Sequence, residues 1–177
     1  GVHRRQRQMC IRDSFYIINV LKGVIMKKVL FFSLAIISFQ GFSETAEDLV
    51  SKMWASFKDS DLEMFSETMS KTSTMVTFGT DASERWEGWD ALKASVKIQF
   101  DAFDVQNINR SEKVINYNSN KDVAWFSEVV DWEVLTSGEK TLIEGIRFTG
   151  VMEKINGEWL IVQFHSSVGV AGQVLEY

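Results

Sequence analysis

The chain has 177 residues, enough for one ordinary domain, and 45% of them are hydrophobic and 12% aromatic, enough to fill a core. Charge is uneven: residues 1–43 carry seven Lys or Arg and one acidic residue, whereas residues 44–177 carry a net charge of −11. A segment that acidic, with no local basic cluster, repels polyanions, so nucleic acid and anionic lipid drop out as partners.

The N-terminal end comes first. Met9-Cys10-Ile11-Arg12-Asp13 resembles the translation of a transposon-end adaptor used in sequencing libraries, and Arg4–Gln8 continues that run. Residues 1–25 are therefore read as an assembly artefact followed by upstream sequence in frame, and are set aside. With them go Cys10, the one cysteine, and His3, one of two histidines. Met26-Lys27-Lys28 then opens a signal-peptide pattern over 26–43. It has a basic start, an apolar run from Val29 to Phe39, and small residues at Gly41 and Ser43. That run falls short of the ~20 apolar residues a spanning helix needs, so no stable membrane anchor is expected after cleavage. Export to the periplasm or secretion is expected. Residues 44–177 lack cysteine, so disulfides contribute nothing and the core must hold the domain.

Periodicity predicts a helix over 45–58, with Leu49, Val50, Met53, Trp54 and Phe57 on one face and a Thr45/Asp48 capping box. A second, short helix is expected behind a Ser60/Glu63 box, with Leu62, Phe65 and Met69 inward. A third covers about 88–103, with a stripe of Trp89, Leu92, Val96, Phe100 and Phe103. A short strand is expected at 75–78, before that helix. Four more follow it at about 105–117, 122–135, 142–155 and 158–168. Their connections are turn signals, Asn118-Ser119-Asn120, Ser137-Gly138 and Asn156-Gly157, which make an antiparallel meander. Helices followed by a meander give an α+β domain.

Three stretches carry a family resemblance. Phe78-Gly79-Thr80-Asp81 leads to Glu84-Arg85-Trp86 and Gly88. Arg147-Phe148-Thr149-Gly150-Val151 is the second. The third runs from Asn156-Gly157-Glu158-Trp159 to His165-Ser166-Ser167. Together they resemble the SnoaL-like branch of the nuclear transport factor 2-like superfamily. A similar ending occurs in the association domain of calcium/calmodulin-dependent kinase. The resemblance implies a cone-like, strongly curved antiparallel sheet wrapped around N-terminal helices over residues 44–177. It does not fix an activity.

His165, the one histidine of 44–177, is the natural general acid or base, or else a structural histidine of the last strand or of a dimer contact. It is expected to share a face with Trp159, Ile161, Gln163 and Ser167. Arg147 lies in a largely apolar stretch and must be paired, either by an anionic ligand group or by Asp131 or Glu128. If Asn156-Gly157 is a simple turn, Arg147 faces Ser166 and points away from His165; a bulge would bring the two together. Trp125, Ser127, Asp131 and Glu133 share a face if their strand is regular. Asp131 completes the catalytic candidates, because the resemblance implies an Asp as proton-transfer residue. Phe78, Trp86, Trp125, Ser127, Gln163 and Trp159 are ligand-binding candidates, and Trp132 is a plausible wall. One histidine and no cysteine leave no metal site, no phosphate loop is visible, and no cofactor is expected.

The leading expectation is an exported pocket protein that binds a small, largely apolar organic molecule and forms a homodimer. One alternative is a cofactor-independent lyase, isomerase or cyclase using His165, with Arg147 holding an anionic group. The other is a homo-oligomeric association module, which outward-facing Val130 or Val134 would favour.

Overall fold

The computed structural model describes residues 44–169 and Gly172. The signal pattern at 26–43 and the segment 1–25 lie outside the described residues. Helix α1 spans Ala46–Asp59. Thr45 Oγ1 accepts from the Asp48 amide at 3.1 Å, and Asp48 Oδ2 accepts from the Thr45 amide at 3.0 Å, which closes the expected capping box. The Thr45 hydroxyl and amide hold the Asp48 carboxyl below its usual 3.8. Leu49, Val50, Met53, Trp54 and Phe57 are all buried.

Ser60 closes α1 in the left-handed region at φ 51°. It therefore cannot also open the next helix. That role falls to Asp61, whose carboxylate accepts from the Glu63 and Met64 amides ahead of α2, Leu62–Glu67. Helix α3 spans Trp89–Ala102, behind Gly88 at φ 78°.

The strands are β1 (Val76–Phe78), β2 (Arg85–Glu87), β3 (Asp104–Tyr117), β4 (Val123–Thr136), β5 (Glu139–Ile155) and β6 (Glu158–Val168). Among the described residues they form one sheet ordered β2-β1-β6-β5-β4-β3. β3 through β6 make the expected meander, and the two-residue turns at Ser137-Gly138 and Asn156-Gly157 have both residues at positive φ, as tight hairpins require. β1 lies parallel to β6 and antiparallel to β2, a strand of three residues that periodicity did not indicate. β2 and β3 are free edges, so the sheet does not close.

Its curvature comes from bulges at Gln106, Glu112-Lys113, Glu144-Gly145 and Val162, where one strand carries an extra residue. Asp131 pins the third of these: its Oδ1 accepts from the Gly145 amide at 2.9 Å and its Oδ2 from Asn109 Nδ2 at 3.3 Å. The inner face of the curve and the apolar face of α1 enclose the core. Its sheet residues include Phe126, Val130, Phe148, Met152, Ile161 and Phe164.

Candidate functional site

Between α1, α3 and the inner face of the sheet lies a cavity of about 380 Å³. Trp54 and Phe57 of α1 form one wall, and Leu92 and Val96 of α3 another. β4, β5 and β6 supply Trp132, Phe148 and Phe164, the β1–β2 connection supplies Glu84, and β2 supplies Trp86. The Glu144-Gly145 bulge matters here. The extra residue turns both Ile143 and Ile146 inward, and both line the cavity.

Trp54 is held as a wall. Its indole N–H donates to Glu128 Oε1, and Arg110 Nε donates to Glu128 Oε2 at 2.8 Å. Arg110 also donates to Ser51 Oγ at 3.0 Å. Glu128 is only 4% exposed, so the carboxylate is a buried charge satisfied from two sides. The Trp54 ring meets Trp132 edge-on at 5.6 Å and Phe148 at 4.7 Å. By contrast, the indole N–H of Trp132 is buried and has no hydrogen-bond partner among the described residues.

Glu84 is the one ionisable group among the described residues that line the cavity. Its Oε2 accepts from the Asp81 amide at 3.0 Å, which fixes the connection between β1 and β2. A Cβ at Gly79 would sit 2.2 Å from that carboxylate oxygen and 2.8 Å from the Trp86 ring. The absence of a side chain at 79 lets both reach the cavity wall.

Of the residues singled out by sequence, Trp86 and Trp132 line this cavity. Trp159 is buried in the core beside Tyr117. The others lie on the outer face. β6 does not alternate cleanly: the bulge at Val162 leaves Trp159 and Ile161 inward and turns Gln163, His165 and Ser167 outward. The same bulge shifts the register by one, so Arg147 pairs with Ser167 and Thr149 with His165. Arg147 and His165 therefore share a face, and it is the exposed one. Glu128 is committed to Arg110, not to Arg147.

β4 is regular. Trp125, Ser127, Asp131 and Glu133 share a face as expected, again the outer one, with Asp131 engaged at the bulge. Val130 and Val134 are buried on the inner face. One row across the outer face reads Val114, Ser127, Thr149, His165, Phe78 and Arg85. The His165 and Phe78 rings meet edge-on at 5.7 Å. Ser127 also borders a smaller cavity near Arg110 and Tyr117.

Sequence reasoning missed Glu84, Gln99 and Ser166 as lining residues. The nearest signal was the Glu84-Arg85-Trp86 run, read only for resemblance. Among the described residues no cluster of His, Cys, Asp and Glu could hold a metal, and no helix is long and apolar enough to cross a membrane.

Comparison with known proteins places the fold. The model of a SnoaL-like domain matches residues 46–171. A nuclear transport factor 2-like superfamily protein from Salmonella enterica superposes with a TM-score of 0.61 at 14% identity, over 73% of this chain and 93% of that one. A ketosteroid isomerase-like protein from Erwinia carotovora gives 0.60 at 16% identity, over 73% and 97%. A nuclear transport factor 2-like protein of unknown function in nutrient uptake, from Rhodospirillum rubrum, gives 0.58 at 15% identity, over 71% and 99%. At such identities the likeness concerns the fold alone. No curated protein matches the chain in sequence.

Proposed function

The chain belongs to the SnoaL-like domain family, and from that premise we propose that it binds a small, largely apolar organic molecule in the cavity between α1, α3 and the sheet. The observation that carries this is the cavity itself. Its volume of about 380 Å³ lies within the range of small-molecule sites, and its walls are apolar and aromatic with few polar groups. The unpartnered Trp132 N–H favours a ligand with one hydrogen-bond acceptor. The pattern at Met26–Ser43 supports a place of action outside the cytoplasm.

The test is a fluorescence titration of the purified chain with 1-aminoanthracene, an uncharged apolar fluorophore. One saturable site per chain is expected. Folded protein that gives no signal, or unsaturable uptake, would overturn the reading.

A cofactor-independent isomerase, lyase or cyclase in this cavity would have to move protons through Glu84. His165, Arg147 and Asp131 lie on the other side of the sheet.

The outer face supports a second role, a homodimer contact. Val114 and Trp125 are 50% and 46% exposed there on the neighbouring strands β3 and β4, and Phe78, 37% exposed, lies on the same face three strands from Trp125. Sedimentation velocity checks this: monomer at high micromolar concentration rules it out, and Trp125→Arg should dissociate a dimer.

A further inference from the structure

The cavity's charge and its walls point to the class of ligand more narrowly than its apolarity does. Among the described residues that line it, seven are aromatic, one is a carboxylate, and none is a cation. Cations close by are engaged elsewhere. Arg110 is bound to Glu128 and Ser51 outside the cavity. Arg85, the neighbour of Glu84, lies on the outer face, where it pairs with Glu87 and sits 5.9 Å from the Phe78 ring. An anionic ligand would thus leave water for a site with no counter-charge and one like charge, within a segment of net charge −11. A positive ligand group meets the opposite arrangement. Aromatic rings attract a cation through their quadrupole, most strongly Trp, and this strengthens as water is excluded. Three tryptophans, Trp54, Trp86 and Trp132, are among the walls.

Glu84 is built into this wall. The residue itself is partly buried, and its carboxylate is held by the Asp81 amide and packed over Gly79, where a Cβ would collide with it. One carboxylate oxygen is committed to that amide, and among the described residues the other has no hydrogen-bond partner.

We infer that the cavity is an organic-cation site: it takes a compact ammonium ligand whose apolar body fills the aromatic chamber and whose positive end lies against Glu84. This rests on the apolar-pocket reading above and narrows it. Binding involves no covalent step. Selectivity among ligands of one shape follows from charge alone.

The experiment is calorimetric titration of the full chain with three probes of matched shape. These are phenethyltrimethylammonium, its uncharged carbon isostere (3,3-dimethylbutyl)benzene, and 3-phenylpropanoate. The cation is expected to bind about tenfold more tightly than the isostere, and the carboxylate least of all. Glu84→Gln keeps an acceptor for the Asp81 amide, so the turn persists. It should remove most of the preference for the cation over the uncharged isostere. Equal binding of cation and isostere, or a preference for the carboxylate, overturns the organic-cation proposal and leaves the apolar pocket standing. A preference for the cation that survives Glu84→Gln overturns the assignment to Glu84. Failure of all three probes to bind folded protein overturns the pocket reading and this proposal with it.

Discussion

Replacing Glu128 by Ala tests the buried clamp that holds the cavity wall. The Glu128 side chain is 2% exposed and that of Arg110 16%, so neither group is well solvated once its partner is lost. Removing one member of such a pair costs roughly 3–5 kcal/mol, because the other charge stays behind. Here the lower end applies. Arg110 reaches some solvent and keeps its bond to Ser51, although the Trp54 N–H loses its acceptor as well. A loss of about 3 kcal/mol follows. With a urea m-value of about 2 kcal/mol/M for a domain this size, the midpoint falls by about 1.5 M. Glu128→Gln keeps one acceptor oxygen for one of the two donors and sets its NH2 against the other, so it should lose about 2 kcal/mol, between wild type and Glu128→Ala. A double-mutant cycle with Arg110→Met apportions the effect. If Glu128→Ala costs less than about 1 kcal/mol, or if the two substitutions are simply additive, the clamp is not what fixes Trp54.

Three further outcomes are expected. Trp132→Phe removes a buried N–H that has no partner among the described residues; it should cut the preference for 9-fluorenone over fluorene, which lacks the acceptor, about fivefold, and an unchanged preference would contradict that role. Asp131→Ala should cost about 1 kcal/mol by releasing the Gly145 amide at the β5 bulge; an effect on binding with no change in stability would contradict a structural role. Gly150→Ala would place a Cβ 2.6 Å from the Phe126 ring and 2.8 Å from the Gln163 carbonyl, and only the ring can yield. A loss of about 2 kcal/mol is expected, seen as a fall in Tm of several degrees on a thermal scan.

The elements with long, regular periodicity were legible in the sequence. The stripe of α1, the stripe of α3 and the meander from β3 to β6 all follow from spacing and turn residues. What was not legible was set by single residues. β2 is too short to show a period, and Ser60 carries the same chemistry whether it ends one helix or begins the next. The site suffered most. Alternation along β6 assigns Trp159 and His165 to one face, but the extra residue at Val162 puts them on opposite faces. No local motif announces that bulge, and it moved His165 and Gln163 from the expected pocket to the outer surface. Arg147 and Asp131 were read for their chemistry, and the sheet uses the second to hold a bulge. Glu84 was overlooked because an exposed-looking acid in a loop carries no signal until the fold brings it beside Trp86 and Gly79.

The most direct test of the central claim, that ligand enters the inner cavity and not the outer face, compares two variants in the 1-aminoanthracene titration. Ile143→Trp fills the cavity from β5, and His165→Ala alters the outer face beside Phe78. The account predicts one site per chain, abolished by Ile143→Trp and unchanged by His165→Ala. Undiminished binding in a folded Ile143→Trp variant, together with loss in His165→Ala, would place the site on the outer face and contradict it.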